Sequence, residues 1–213
     1  MLIKNISVKG SGGFNLLAVR EDQELAPKLE SLSFDATPVG LTPLKVLVAG
    51  ALLFGNREMD RIETIGEVPK GTVERVQSLL GIGINPTMGQ NLGSVESDES
   101  DTTIKATTLK INLEGSFTAN TPGRDVTTLS LIPSERCSGV LWGVKEAIVA
   151  SNAWLHEKYD SRSRLVAAVG VLFAEEFLAE AICVPSTTET EANFIRELCK
   201  IVGINAIFEG ELC

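Results

Sequence analysis

The stretch SGVLWGVKEAIVASNAWLHEKY, residues 138–159, decides the reading of the C-terminal half. Leu141, Val144, Ile148, Leu155 and Tyr159 recur in it at helical spacing. Ser138 or Ser134 stands where an N-cap would. The pattern predicts one long helix. On that helix Trp142 and Val149 share a stripe with His156, and Trp154 lies with Ala147 and Ala150. The apolar surface is then wider than one sheet covers, which makes Trp142, Val149 and Trp154 candidate interface residues.

The flanking segments are read around that helix. DVTTLSLIP (125–133) is rich in Val, Thr, Leu and Ile, ends at Pro133 and reads as a strand. RLVAAVGVLFAEE (164–176) and FLAEAICVPS (177–186) read as two strands meeting at a Glu-Glu corner. TETEANFIRELCKIVG (188–203) reads as a helix: Thr188 and Glu191 have capping-box spacing, and Ala192, Ile195, Leu198, Cys199 and Val202 share one face. INAIFEGEL (204–212) closes as a strand. The resulting order, β-α-β-β-α-β, is the ferredoxin-like arrangement, with two helices over one face of a four-stranded antiparallel sheet. It is an order of elements only, with no family motif, and many unrelated functions use it.

In the N-terminal half, LIKNISVKG and FNLLAVRE flank SGG as a hairpin would, and KLESLSFDAT reads as a third strand. LTPLKVLVAGALLFGNREMD (41–60) opens a helix with Thr42 as cap and Pro43 at its first position. Residues 46–54 are apolar nearly all round, so this helix is expected to be buried. A shorter helix near 72–80 turns Val73, Val76, Leu79 and Leu80 inward and ends in the Gly- and Pro-punctuated run 81–93. The whole reads as an α+β protein, a two-layer α/β sandwich. Its expected parts are an N-terminal half of mixed strands and a buried helix (1–93), an acidic linker or loop, SVESDESDTT (94–103), and the ferredoxin-like half (104–213). The two halves are also compatible with one continuous domain. ERVQSLLGIGIN (74–85) and IRELCKIVGIN (195–205) both run from a helix into Gly-Ile-Asn, a likeness that helix-stop chemistry explains as well as a tandem repeat does.

A chain of 213 residues, 44% hydrophobic, can bury a sizeable core. A net charge of −9 opposes a phosphate-binding surface, so nucleic acid is excluded as the expected partner. The N-terminus lacks the apolar stretch and cleavage site of a secretion signal. The apolar runs 44–55 and 165–174 fall short of the ~20 residues a membrane span needs. The cysteines at 137, 183, 199 and 213 show neither C-x-x-C spacing nor a disulfide framework, and there is one histidine. A reduced, cytoplasmic setting without structural metal or cofactor is expected.

The sharpest chemical signal is PSERCSGVLWG (133–143), which places Cys137 at a strand-to-helix corner beside Arg136. A helix N-terminus and a cation lower a thiol pKa, so Cys137 is a weak candidate nucleophile. Exposed amides with Ser134, Arg136 and Ser138 also form a generic anion site there. A base is missing, however. Nineteen helical residues would hold His156 ~28 Å away from Cys137. Neither glycine-rich run has the strand-loop-helix context of a nucleotide fingerprint. The expected function is therefore non-catalytic: self-assembly or partner binding, as a shell, scaffold, adaptor or virion-type subunit, homo-oligomeric or bound to another protein. The alternative is a small-molecule enzyme using Cys137.

Overall fold

The computed structural model describes residues 1–8, 12–19, 29–55, 62–81, 107–113, 125–158 and 160–211. Strands from both halves of the chain run there in one mixed sheet of ten strands. The acidic stretch 94–103 and residues 82–93 lie outside the described residues.

The N-terminal half supplies an antiparallel meander. β1 (Leu2–Val8) and β2 (Gly13–Val19) form the expected hairpin, with Val8 opposite Gly13, and β3 (Ser31–Phe34) pairs with β2. The two-residue β4 (Glu63–Thr64) adds parallel to β1. The C-terminal half supplies five parallel strands: β5 (Thr107–Asn112), β6 (Val126–Pro133), β8 (Glu146–Ser151), β9 (Ala179–Val184) and β10 (Asn205–Phe208). β7 (Val140–Trp142) returns into β8 as a hairpin. The strand order is β10-β9-β5-β6-β8-β3-β2-β1-β4, with β7 beside β8. The halves join where Phe34 opposes Ser151.

Five helices complete the described chain: α1 (Pro43–Phe54), α2 (Lys70–Leu80), the one-turn α3 (Ala153–His156), α4 (Arg162–Phe173) and α5 (Glu189–Ile201). Helices and strands in one sheet make this an α+β fold, as expected. The ferredoxin-like order is not what the C-terminal half adopts. Residues 138–159 are not one helix but β7, a tight turn at Val144–Lys145, β8 and α3. Residues 164–173, read as a strand, belong to α4, whose N-cap Ser161 accepts from the Arg164 amide. With these two assignments exchanged, the sheet becomes parallel across β8, β6, β5, β9 and β10. β4 and β5 have no counterpart in the sequence reading, whereas the strands and helices it places elsewhere are found there. Thr42 accepts from the Lys45 amide at the start of α1, and Thr188 from the Glu191 amide at the start of α5.

One face of the sheet and the helices share a single core. Ile3, Phe14, Leu16, Leu32 and Phe34 contribute from the meander, and Leu109, Leu129, Val149 and Ile182 from the parallel strands. α1 lies over β1 and β2, α4 over β5 and β9, and α5 over β10, with α1 and α4 packed on each other. The opposite face of the parallel strands carries buried but mostly small residues, Ala150, Ala181 and Cys183, with Ile148.

Both central helices approach the sheet at glycine. A Cβ on Gly170 would lie 2.6 Å from two Ile182 side-chain carbons, and one on Gly50 would lie 2.7 Å from Ile3. At both sites the atoms include Cγ2, which is bonded to the branched Cβ beside the strand backbone and cannot swing aside cheaply. Gly170→Ala gains about 1 kcal/mol of helix propensity and loses about 1–3 kcal/mol to overpacking. A net destabilisation of up to about 2 kcal/mol is expected in urea unfolding. Adding Ile182→Val, which removes Cδ1 and leaves Cγ2, should relieve part of the loss, and a double-mutant cycle without coupling would place the contact elsewhere.

Candidate functional site

The Cys137 corner is not a helix start. Pro133 ends β6, residues 134–138 make a turn, and the chain enters β7 at Val140. The amides that an anion would need are occupied. Ser134 donates to the Ser151 carbonyl, Arg136 and Cys137 donate to that of Pro133, and the Gly139 amide donates to Asp35 Oδ2 at 2.7 Å. A carboxylate of the chain itself holds the position the anion was expected to take. Ser134, Arg136 and Ser138 are all exposed. The helix N-terminus expected to bind an anion there is absent, and the Ser134, Arg136, Cys137 and Gly139 amides are engaged within the chain. Cys137 is exposed, its thiol facing only the Ser138 carbonyl at 3.8 Å.

His156 is not on a solvated stripe either. It is fully buried in α3, with Nε2 2.7 Å from the Ser31 carbonyl and Nδ1 2.8 Å from Asp160 Oδ2. A carbonyl only accepts, so Nε2 carries a proton. Around it the chain stitches β3 to the end of β8. Ser151 Oγ donates to the Ser33 carbonyl, the Ser33 amide donates to Asn152 Oδ1, and Asn152 Nδ2 donates to the Ser31 carbonyl. The histidine closes a polar seam between the two halves of the sheet and has no free nitrogen for a thiol. Cys183 and Cys199 are buried thiols, and burial pushes that of Cys199 up to about 12. No three of His, Cys, Asp and Glu cluster as metal ligands among the described residues.

A cavity of about 710 Å³ opens where the ends of α1 and α2 meet the starts of α4 and α5, on the carboxyl side of the parallel strands. That side of an open sheet is where ligands commonly sit. Its charged groups already satisfy one another. Arg164 Nε is 3.0 Å from Glu191 Oε1, its Nη1 donates to the Gly55 carbonyl, and its guanidinium lies 4.6 Å over Phe194. Burial raises the Glu191 carboxyl pKa, but hydrogen bonds from Thr187 and Ser161 and the Arg164 charge outweigh it and hold the carboxyl below its ordinary value. These residues clamp α4 to α5 and to the end of α1.

What stands open is β7. Gly139 and Gly143 bond to Ala150 and Glu146, so Leu141 faces Ile148 in the hydrogen-bonded position. The amides and carbonyls of Val140 and Trp142 therefore point away from β8. Among the described residues no strand pairs with that side. The side chains are equally open: Val140 is 41% exposed, Leu141 62%, Trp142 46% and the turn residue Val144 101%. Val140 and Trp142 oppose Val149 and Ala147 and lie on the helix side, whereas Leu141 lies on the other. The Trp142 ring sits 5.9 Å from that of Phe177, beyond the end of α4, and Leu178 beside it is 81% exposed. Val39, also exposed, borders this face, its amide donating to Glu176.

Of the three interface candidates, Trp142 is thus at the surface, on a strand. Val149 is corrected: it points into the core from β8 and is fully buried. Trp154 is half-buried under Lys158, whose Nζ is 4.8 Å from its ring, and its indole N–H has no acceptor among the described residues. Phe177 and Leu178 were not legible as surface residues because their segment reads as a strand. Val-Leu-Trp between Gly139 and Gly143 is the signal that identifies β7. The chain matches no protein-family model, no curated protein and no solved structure.

His156→Leu strands the Asp160 carboxylate and removes a donor from Ser31, and is expected to cost about 2–4 kcal/mol of unfolding free energy. A cost near zero would remove His156 from the seam. The clamp has a pH signature. A carboxyl lowered on folding stabilises above its unfolded pKa, near 4.5, and loses that contribution as pH falls through its folded value. Glu191→Gln should therefore be about 1 kcal/mol less stable than wild type at pH 7, with the gap closing as pH falls through the lowered folded-state pKa. A gap constant with pH would overturn this assignment.

Proposed function

We propose that the protein is a non-catalytic contact or assembly protein, of the shell, scaffold or adaptor kind, and that the β7 face is the surface it uses. The observation that carries this reading is one strand combining a backbone edge that no strand pairs among the described residues with exposed Val140, Leu141 and Trp142. Proteins usually blunt such edges with charge, proline or brevity, because an open apolar edge pairs with other chains. Monomers also rarely expose contiguous apolar patches beyond a few hundred Å².

Leu178 adds independent support. It holds φ of 49°, a left-handed conformation that favours glycine, while its side chain stands in solvent. The fold gains nothing visible from a leucine there, whereas a contact surface gains an apolar anchor beside Phe177 and Trp142. The enzyme alternative has the exposed Cys137 and, among the described residues, no histidine base for it, since His156 is committed to Asp160 and Ser31. Thiols outside any disulfide at 137 and 199 suit the cytoplasmic setting expected for such a protein.

The test compares three variants by gel filtration of native extracts from the cells that make the protein. Leu141→Lys and Leu178→Gly should release it from its assembled fraction, with folding stability within about 1 kcal/mol of wild type. Cys137→Ser should leave the fraction intact. Loss caused by Cys137→Ser alone, or no change with any variant, would overturn the reading.

A further inference from the structure

Resting on the reading of β7 as a contact face, we infer that its occupant is a second copy of this chain, paired antiparallel strand to strand about a two-fold axis through Leu141. The sequence Val-Leu-Trp is complementary to itself in that register. Val140 of one copy stands opposite Trp142 of the other, and Leu141 opposite Leu141. The outward amides and carbonyls are those of Val140 and Trp142, so each of the two Val–Trp pairs exchanges two hydrogen bonds, four in all. On the helix side the axis sets a β-branched residue against an aromatic one twice, a favourable cross-strand pair. On the other face it brings the two Leu141 side chains together, each beside its own Ile148.

The size of the face fits a dimer that forms and dissociates. At the ~150 Å² that a large side chain carries, the exposures of Val140, Leu141, Trp142, Val144 and Leu178 leave roughly 500 Å² of apolar surface per copy. Stable interfaces bury about 800 Å² per partner. Backbone pairing and the polar rim bring this one to the lower end of that range, so association is expected in the micromolar range. Each copy carries a net charge of −9, and two such copies repel. Screening should therefore tighten the dimer several-fold between about 0.05 and 0.5 M salt, the opposite of a contact held by ion pairs.

The test is disulfide trapping with sedimentation equilibrium on the full chain, in a Cys137→Ser, Cys213→Ser background. Across the axis the two residues 141 form a non-hydrogen-bonded pair with Cα atoms ~4.5 Å apart, inside the range a disulfide spans. Leu141→Cys should form a covalent dimer under mild oxidation at least about tenfold faster than Val144→Cys, whose copies would lie roughly 20 Å apart. The mass of the parent should rise from monomer toward dimer over about 1–200 µM, and Leu141→Lys should move that midpoint up at least tenfold. A parent that dimerises without trapping at residue 141 overturns the strand pairing and leaves the contact face standing. A parent monomeric throughout overturns the second copy. If Leu141→Lys still releases an assembled fraction from extracts, another protein occupies the edge and only this inference falls.

Discussion

A helix that is apolar around its whole circumference has to be enclosed on every side, and α1 and α4 are two such helices packed on each other. Residues 46–54 of α1 and 165–173 of α4 are buried without a break. The sheet takes one side of each, at the distance Gly50 and Gly170 permit. α2 and α5, which do have polar faces, cover what remains. Because α1 rests on the N-terminal meander and α4 on the parallel strands, burying them against each other brings the two strand systems side by side. The seam at Ser151, Asn152 and His156 follows from that. At this junction the ladder is short, and side chains supply the hydrogen bonds that further backbone pairs would have made.

The same enclosure explains which elements could be read in advance. α5 has a solvent face and a capping box, β2 alternates cleanly, and α1 announces itself through Thr42-Pro43. All three were legible. α4 and β8 are covered on every side, which erases the 3.6-residue period of one and the two-residue period of the other. With the periods gone, accidental spacing from Leu141 to Tyr159 looked helical and Leu165–Phe173 looked extended. Composition held the better signal. Ala167, Ala168 and Gly170 are poor strand residues, whereas Val140, Val144, Ile148 and Val149 favour strands.

The site suffered from the same exchange. A cysteine after a strand draws its chemical meaning from a following helix, and that meaning dissolves once the next element is β7. His156, placed by the helical reading on a wet stripe, is the most enclosed polar group of the seam because α3 tucks it beneath β3. Trp142 was picked out from a face that does not exist, and it is exposed for a different reason: β8 carries β6 on one side and shares the other between β3 and β7.

That sharing is what makes the β7 edge informative. The two ends of the sheet differ from it. β4 is two residues long and covers only Leu2 and Ile3 of β1, whose next residues are Lys4 and Asn5, and β10 is a four-residue strand whose chain leaves it through Glu209 and a Glu211–Arg196 ion pair. β7 is equally short but carries no charge and no proline, is followed by the fully exposed Val144, and lies against Phe177 and a left-handed Leu178. Stability alone would favour a lysine at 141 and a glycine at 178. An uncharged apolar edge of this kind, kept at a cost in solubility and backbone strain, fits the contact role proposed for it.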